Sequence, residues 1–199
     1  MDKKKLFVII ETLIYVLFII ADARGFSSVY LKYTGILICF LYCLSQKDPW
    51  FATAMFFTLI ADLFLLVLDD HYEYGLVSFI IVQLIYAAYL SRNCEIHIPL
   101  RIVIFVLLLS ILYLLKALEP VNIMSVFYFA NLLVNFISAY ADKELSGLSL
   151  GFFLFICCDI CVGLTNFFPS APFTRYTSLL MWIFYLPSQV LIALHSSRS

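Results

Sequence analysis

Long apolar runs alternate with short polar breaks from one end of the chain to the other. Eight runs, at about 6–21, 27–44, 50–68, 74–90, 99–116, 121–140, 147–167 and 177–194, each approach the roughly 20 residues that an α-helix needs to cross a bilayer. The breaks are Arg24-Gly25, Lys47-Asp48-Pro49, Asp69-Asp70-His71, Arg92-Asn93, Glu119-Pro120, Asp142-Lys143-Glu144 and Pro169 to Pro172. None has room for a soluble domain. The pattern predicts an all-α fold, a single transmembrane domain over 1–199 built as a polytopic bundle of about eight membrane helices. Lys3-Lys4-Lys5, an apolar stretch and Ala21-Asp22-Ala23 imitate a signal peptide, but Glu11 interrupts the apolar core, so the segment reads as a retained helix.

Composition agrees with the pattern. The 199 residues are 64% hydrophobic and 13% charged, against about 45–50% and about 25% in soluble domains, which excludes an ordinary water-soluble protein. Twelve basic and 13 acidic residues offer no basic surface to nucleic acid. Cys39 and Cys43 fall in one apolar run and Cys157, Cys158 and Cys161 in another, leaving Cys94 near a loop, so a disulfide framework is not expected. The cysteines around Asp159 lack the histidine partners of a metal centre and read as small packing groups; no metal or cofactor is expected.

Loop cations set the expected orientation. With a cytoplasmic N-terminus, one side carries Lys3, Lys4, Lys5, Lys47, Arg92, Arg101, Lys143 and Arg198, and the other Arg24, Lys116 and Arg175. Both termini are then cytoplasmic, and the cell (inner) membrane is the expected location. Phe56-Phe57-Thr58-Leu59-Ile60-Ala61-Asp62 in run three also resembles Phe153-Leu154-Phe155-Ile156-Cys157-Cys158-Asp159 in run seven, the pattern of a four-plus-four internal repeat of parallel orientation.

Charge inside the membrane costs roughly 2.5–3.5 kcal/mol per group on insertion scales and therefore marks function. Glu11, Lys32, Asp62 and Asp159 lie within runs. Asp62 and Asp159 each come about 12 residues, or about 18 Å, from the inner end of their helices, and Lys32 reaches about the same depth, so the three are expected to share one site. Glu11 is closer to the inner end, where its long side chain can reach the interface. Gln83 with Tyr86, and Tyr185 with Gln189, occupy helical faces; Tyr128, Asn131 and Asn135 form a third stripe. Interhelical hydrogen bonding is the ordinary role of such residues. His71, His97 and His195 are read as surface groups. There is no HExxH or GxxxxGK[ST] motif, so an enzyme here is expected to work with carboxylates.

These residues have a recognisable order: Lys32 early in run two, Ala61-Asp62-Leu63-Phe64-Leu65 in run three, Gly75-Leu76 opening run four, Gln83 and Tyr86 within it, Cys158-Asp159 in run seven, and Tyr185 with Gln189 in run eight. In this the chain resembles, over nearly its whole length, the YhhN-like lysoplasmalogenase family of small eight-helix membrane proteins. Ala61 stands where that family usually has Gly, Gln83 where it has His, and Cys158 where it has Ser.

The resemblance implies cleavage of the vinyl ether bond of lysoplasmalogens, releasing a fatty aldehyde and a glycerophospho-headgroup, with a vinyl ether lysophospholipid and the surrounding membrane lipids as partners. Such hydrolysis needs one carboxylic acid to protonate the β-carbon and one carboxylate to stabilise the oxocarbenium ion and activate water, a division of labour open to two carboxylates in a low-dielectric bundle. Asp62 and Asp159 are thus the expected catalytic pair, with Lys32, Gln83, Tyr86, Tyr128, Tyr185 and Gln189 as expected substrate-binding residues. Lys32 either keeps one carboxylate ionised or binds the phosphate. The same polar layer would also serve a membrane transporter or a lipid-binding protein.

Overall fold

The computed structural model describes residues 2–92, 98–168, 170 and 173–197, with the side chains of Arg175 and Ser178 left aside. Cys94, His97, Pro169, Pro172 and Arg198 lie outside the described residues. Eight long helices follow one another: α1 (Lys3–Ala23), α2 (Val29–Gln46), α3 (Pro49–Asp62), α4 (Tyr72–Leu90), α5 (Ile98–Leu114), α6 (Pro120–Ala141), α7 (Ser146–Phe167) and α8 (Thr174–His195). A π-helical turn, Leu63–Leu68, extends α3, and a 3₁₀ turn, Lys143–Leu145, precedes α7. No strand occurs among the described residues. Each predicted run is a helix, with ends displaced by a few residues.

Polar breaks supply the chemistry that ends the helices. Asp48 accepts from the backbone N–H groups of Trp50 and Phe51 at 2.8 and 3.3 Å, with Pro49 behind it at the first helical position, so Lys47-Asp48-Pro49 both closes α2 and opens α3. Lys47 closes α2 in the left-handed conformation, φ 63°. Pro187 lies inside α8, where its missing N–H leaves the Ile183 carbonyl free; the Tyr15 hydroxyl donates to that carbonyl at 3.3 Å, tying α1 to α8 at the defect.

Burial is inverted relative to a soluble protein. Leu13, Leu17, Ile102, Val103, Leu107 and Ile111 point outward, while Glu11, Asp62, Gln83, Asn135 and Gln189 are buried. An outer belt this apolar requires lipid around it, and six helices among the described residues are long and apolar enough to span a bilayer. Ile98–Leu114 and the Leu179–His195 part of α8 are shorter apolar helices. Of the eight expected spans, six thus meet the length criterion outright. The protein is an all-α membrane bundle.

The hairpins α3–α4 and α7–α8 make the most extensive pairings, α1 joins α2 and α8, and α5 packs chiefly on α6. Buried Phe7, Glu11, Ile14 and Phe18 make α1 an integral wall of the bundle. The π-helical turn widens the chain directly after Asp62, at the kind of position where such turns accompany function. Helix α4 closes against it because Gly75 has no side chain: a Cβ there would stand 2.4 Å from Leu65 Cγ. Gly75→Ala is therefore expected to destabilise the protein by about 1–3 kcal/mol in detergent unfolding, as overpacking does, and Leu65→Ala added to it should recover part of that loss. Equal losses in the single variant and the pair would show that this contact does not set the spacing.

Candidate functional site

Two carboxyl–tyrosine pairs lie inside the bundle. The Tyr185 hydroxyl on α8 donates to Asp62 Oδ2, at the end of α3, over 2.7 Å. The Tyr128 hydroxyl on α6 donates to Asp159 Oδ2, on α7, also over 2.7 Å. Asp62 is 4% exposed and Asp159 is partly exposed. Thirteen residues separate each aspartate from the start of its helix, at Pro49 and Ser146, so both lie about 20 Å along the bundle from the end that carries the termini.

Aromatic rings join the pairs. Phe155, one turn before Asp159, packs with Tyr185 at 5.5 Å between centroids and with Tyr128 at 6.3 Å; Phe79 on α4 touches the same two tyrosines at 6.5 and 5.7 Å. Cys158 lies within electrostatic reach of both carboxyls. Tyr33 on α2 lies within electrostatic reach of Asp62, and Tyr72 on α4 within reach of Asp159. The aspartates therefore border one aromatic core, each with a hydroxyl donor fixing one oxygen. Toward the opposite end, a cleft of about 450 Å³ is lined by Phe64, Leu65, Asp69, Asp70, His71 and Tyr72, with Glu73 at its edge. Tyr72 belongs both to this cleft and to the electrostatic surroundings of Asp159.

Lys32 is close in level but has a different partner from the one expected. Its Nζ stands 2.9 Å from Asp22 Oδ2, at the end of α1, and over the rings of Trp182 and Phe18 at 4.9 and 5.6 Å. Asp22 also accepts from the Ser28 hydroxyl. Trp182 in turn packs on Tyr185 at 5.2 Å, edge to face, so Lys32 reaches Asp62 through two rings. The sequence reading missed Asp22 because it sits in a small-residue stretch at a helix end, which carries no pattern. Trp182 had a usable signal, three residues before Tyr185 on the same helical face.

The remaining candidates separate from the carboxyls. Gln83 and Asn135 are tied together: Asn135 Nδ2 donates to Gln83 O and Oε1, both at 2.9 Å. Arg101, counted in the sequence as a loop cation, lies in the first turn of α5 and is half-buried; its Nη1 donates to Asn131 Oδ1 at 2.7 Å and its Nη2 to Asn135 Oδ1 at 2.8 Å. The Tyr128–Asn131–Asn135 stripe thus splits, its tyrosine serving Asp159 and its amides clamping α5 to α6 and α4. Tyr86 is buried between Phe51 and Phe152, and Gln189 is 1% exposed. Counted from the helix ends at the termini side, Gln83, Gln189 and Asn135 lie at about 9–11 Å, half the depth of the carboxyls. One expected polar layer is two.

Two further expectations are corrected. Glu11 does not reach the interface: it is 3% exposed and its Oε1 accepts from Cys39 Sγ at 3.6 Å, because its helix turns that face inward onto α2. His195 is not a surface group. It is 5% exposed, hydrogen-bonded at Nε2 with the Tyr89 hydroxyl at 3.2 Å and packed on Phe51. His71 is exposed, as expected.

In comparisons with known proteins, the sequence model of the YhhN family matches residues 27–196, from just before α2 to the end of α8. No curated protein matches, and neither does any solved structure.

Proposed function

The chain belongs to the YhhN family, and from that premise we propose that it is an integral-membrane hydrolase cleaving the vinyl ether bond of lysoplasmalogens, with both termini cytoplasmic. The observation that carries this reading is the pair of carboxyls, each held by a tyrosine hydroxyl at 2.7 Å, around one aromatic core inside a lipid-facing bundle.

The chemistry runs in three stages. One aspartic acid gives its proton to the β-carbon of the vinyl ether, leaving an oxocarbenium ion that the second, ionised aspartate stabilises. That carboxylate accepts a proton as water adds to the cation, forming a hemiacetal. Collapse of the hemiacetal breaks the carbon–oxygen bond to the glycerol, frees the aldehyde and the alcohol, and restores the two protonation states. The hydroxyls of Tyr128 and Tyr185 orient the carboxyls and border the reacting group. Lys32, two rings from Asp62 and only partly buried, is placed to take the phosphate of the headgroup in exchange for Asp22. The cleft beside Tyr72 gives the headgroup a polar exit, and the apolar groove of about 560 Å³ along α5 and α6, lined by Val106, Leu109, Tyr113, Leu114 and Ile123, receives the chain.

Purified protein in detergent should release aldehyde from a vinyl ether lysophospholipid and none from the alkyl ether analogue, which cannot form the oxocarbenium ion by protonation at carbon. Absence of turnover, together with proton or solute flux in proteoliposomes, would transfer the site to a transporter. The orientation is checked separately by C-terminal fusions: fluorescence of a cytoplasm-dependent reporter without alkaline phosphatase activity is expected, and the reverse would invert the topology.

A further inference from the structure

Between the carboxyl pair and the end of the bundle that carries the termini lies a second polar layer that the proposed chemistry leaves unused. Glu11 on α1, Cys39 on α2, Tyr86 on α4, and Ser188 and Gln189 on α8 are all buried, at 3%, 0%, 1%, 0% and 1% exposure. Glu11 Oε2, Tyr86 Oη, Ser188 Oγ and both amide atoms of Gln189 make no hydrogen bond among the described residues, and Gln83 Nε2 is in the same position. Buried polar atoms are almost always satisfied, since each one left alone keeps its full desolvation penalty. Several such atoms in adjoining helices are the mark of a group that joins them.

The cluster adjoins the Asp62–Tyr185 pair. Cys39 bonds to Glu11 and is within electrostatic reach of Cys43 and Asp62, and Tyr86 is within reach of Cys39 and Cys43. Gln189 is one helical turn from Tyr185, the donor to Asp62. Gly35, one turn from Cys39, lets α1 and α8 close on α2 at this level, since a Cβ there would come within 2.8 Å of Leu186 Cδ1 and 3.3 Å of Glu11 Oε2. By helical rise, Tyr86 is about 6 Å, Glu11, Cys39 and Gln189 about 9–12 Å and Asp62 about 20 Å from the terminal end, so the layer lies on the way from that end to the site.

Donor chemistry selects the occupant. Gln83 Nε2 and Gln189 Nε2 need an acceptor, which a metal cation cannot supply, and Glu11 Oε2 and Gln189 Oε1 need a donor, which a simple anion cannot supply. An apolar molecule would leave every polar atom as it is. Water donates and accepts at once, and a buried water ordinarily makes two to four such bonds. We propose that the layer formed by Glu11, Cys39, Tyr86 and Gln189 is an internal water site that feeds the carboxyl pair from the terminal end of the bundle. The role of that water as co-substrate rests on the hydrolase reading; the site itself does not.

X-ray hydroxyl-radical footprinting of the full chain in detergent tests it, because radicals generated from bound water mark the side chains that touch that water even when bulk solvent cannot. Divided by the intrinsic reactivity of each side chain, the oxidation rate of Tyr86 should be at least about threefold that of the equally buried Phe51 and Phe152 packed against it, and Gln189→Leu should lower the Tyr86 rate by a similar factor through loss of a water partner. Glu11→Leu is the second variant should Gln189→Leu not fold. Oxidation of Tyr86 at the rate of Phe51 and Phe152 after that division, or a Tyr86 rate unmoved by a folded variant, would overturn the site. Aldehyde release separates the two proposals. Labelling of Tyr86 without turnover of the vinyl ether lipid leaves the water site standing and removes the hydrolase. Turnover with Tyr86 unlabelled does the opposite.

Discussion

Asp62→Asn and Asp159→Asn are each expected to slow aldehyde release from a vinyl ether lysophospholipid by about 10²–10⁴, the usual contribution of acid–base catalysis. Asparagine keeps the shape and can still accept from Tyr185 or Tyr128. It has no carboxylic proton to give to carbon and no charge to set against the oxocarbenium ion. The double variant should be scarcely slower than the worse single one, because two groups that act as a unit lose their joint effect once either is gone. Tyr185→Phe and Tyr128→Phe, which remove only an orienting hydrogen bond to a carboxyl, should cost about 10-fold each, from about 1.5 kcal/mol per bond. With protonation at carbon as the slow step of the proposed chemistry, the reaction is also expected to run slower in D₂O. Near-wild-type release by both asparagine variants, in protein that still unfolds cooperatively, would take the chemistry away from these carboxyls.

The second large effect concerns stability. Arg101, half-buried, has two amide acceptors, Asn131 and Asn135, where a guanidinium in a bundle would ordinarily have a carboxylate, and Asn135 carries the connection on to Gln83. Asn135→Leu leaves Nη2 without its acceptor and Gln83 without its donor in an apolar bundle. The expected loss is about 2–3 kcal/mol in reversible unfolding in detergent, at the upper end for a polar group left unsatisfied. Arg101→Met in the Asn135→Leu background should restore part of the loss, because it removes the guanidinium left short of an acceptor, against which stands only the donor that Asn131 Oδ1 gives up. A double variant less stable than Asn135→Leu alone would show that the guanidinium holds α5 by some other contact.

Legibility followed the physics of each group. A carboxylate in a membrane helix has few places to go, so Asp62 and Asp159 stood out from the surrounding Leu, Phe and Ile, and their equal depth followed from counting residues along a helix of fixed rise. Counting could not choose partners. Lys32 lies at the depth of the aspartates yet pairs with Asp22, because the α1–α2 turn brings that carboxylate to 2.9 Å while Trp182 stands between Lys32 and Tyr185. Glu11 and Arg101 lie close enough to helix ends for either burial or exposure, and their neighbours decided: Cys39 and Gly35 for one, Asn131 and Asn135 for the other. His195 shows the same limit at a chain end, where Phe51 and Tyr89 cover a ring that its position would place in water.

By itself the sequence determined the class of fold, the number and order of the helices, the places where they stop, and the two acids that cannot face lipid. All of these depend on periodicity along one chain and on the free energy of moving one side chain between water and hydrocarbon, and both are local quantities. Only the tertiary structure decided which hydroxyl meets which carboxyl, that Lys32 belongs to Asp22, and that the polar residues form two layers. Those outcomes depend on the rotation and crossing of helices far apart in the chain, where a turn of α8 sets Tyr185 against Asp62 and, one turn further along, Gln189 in the other layer.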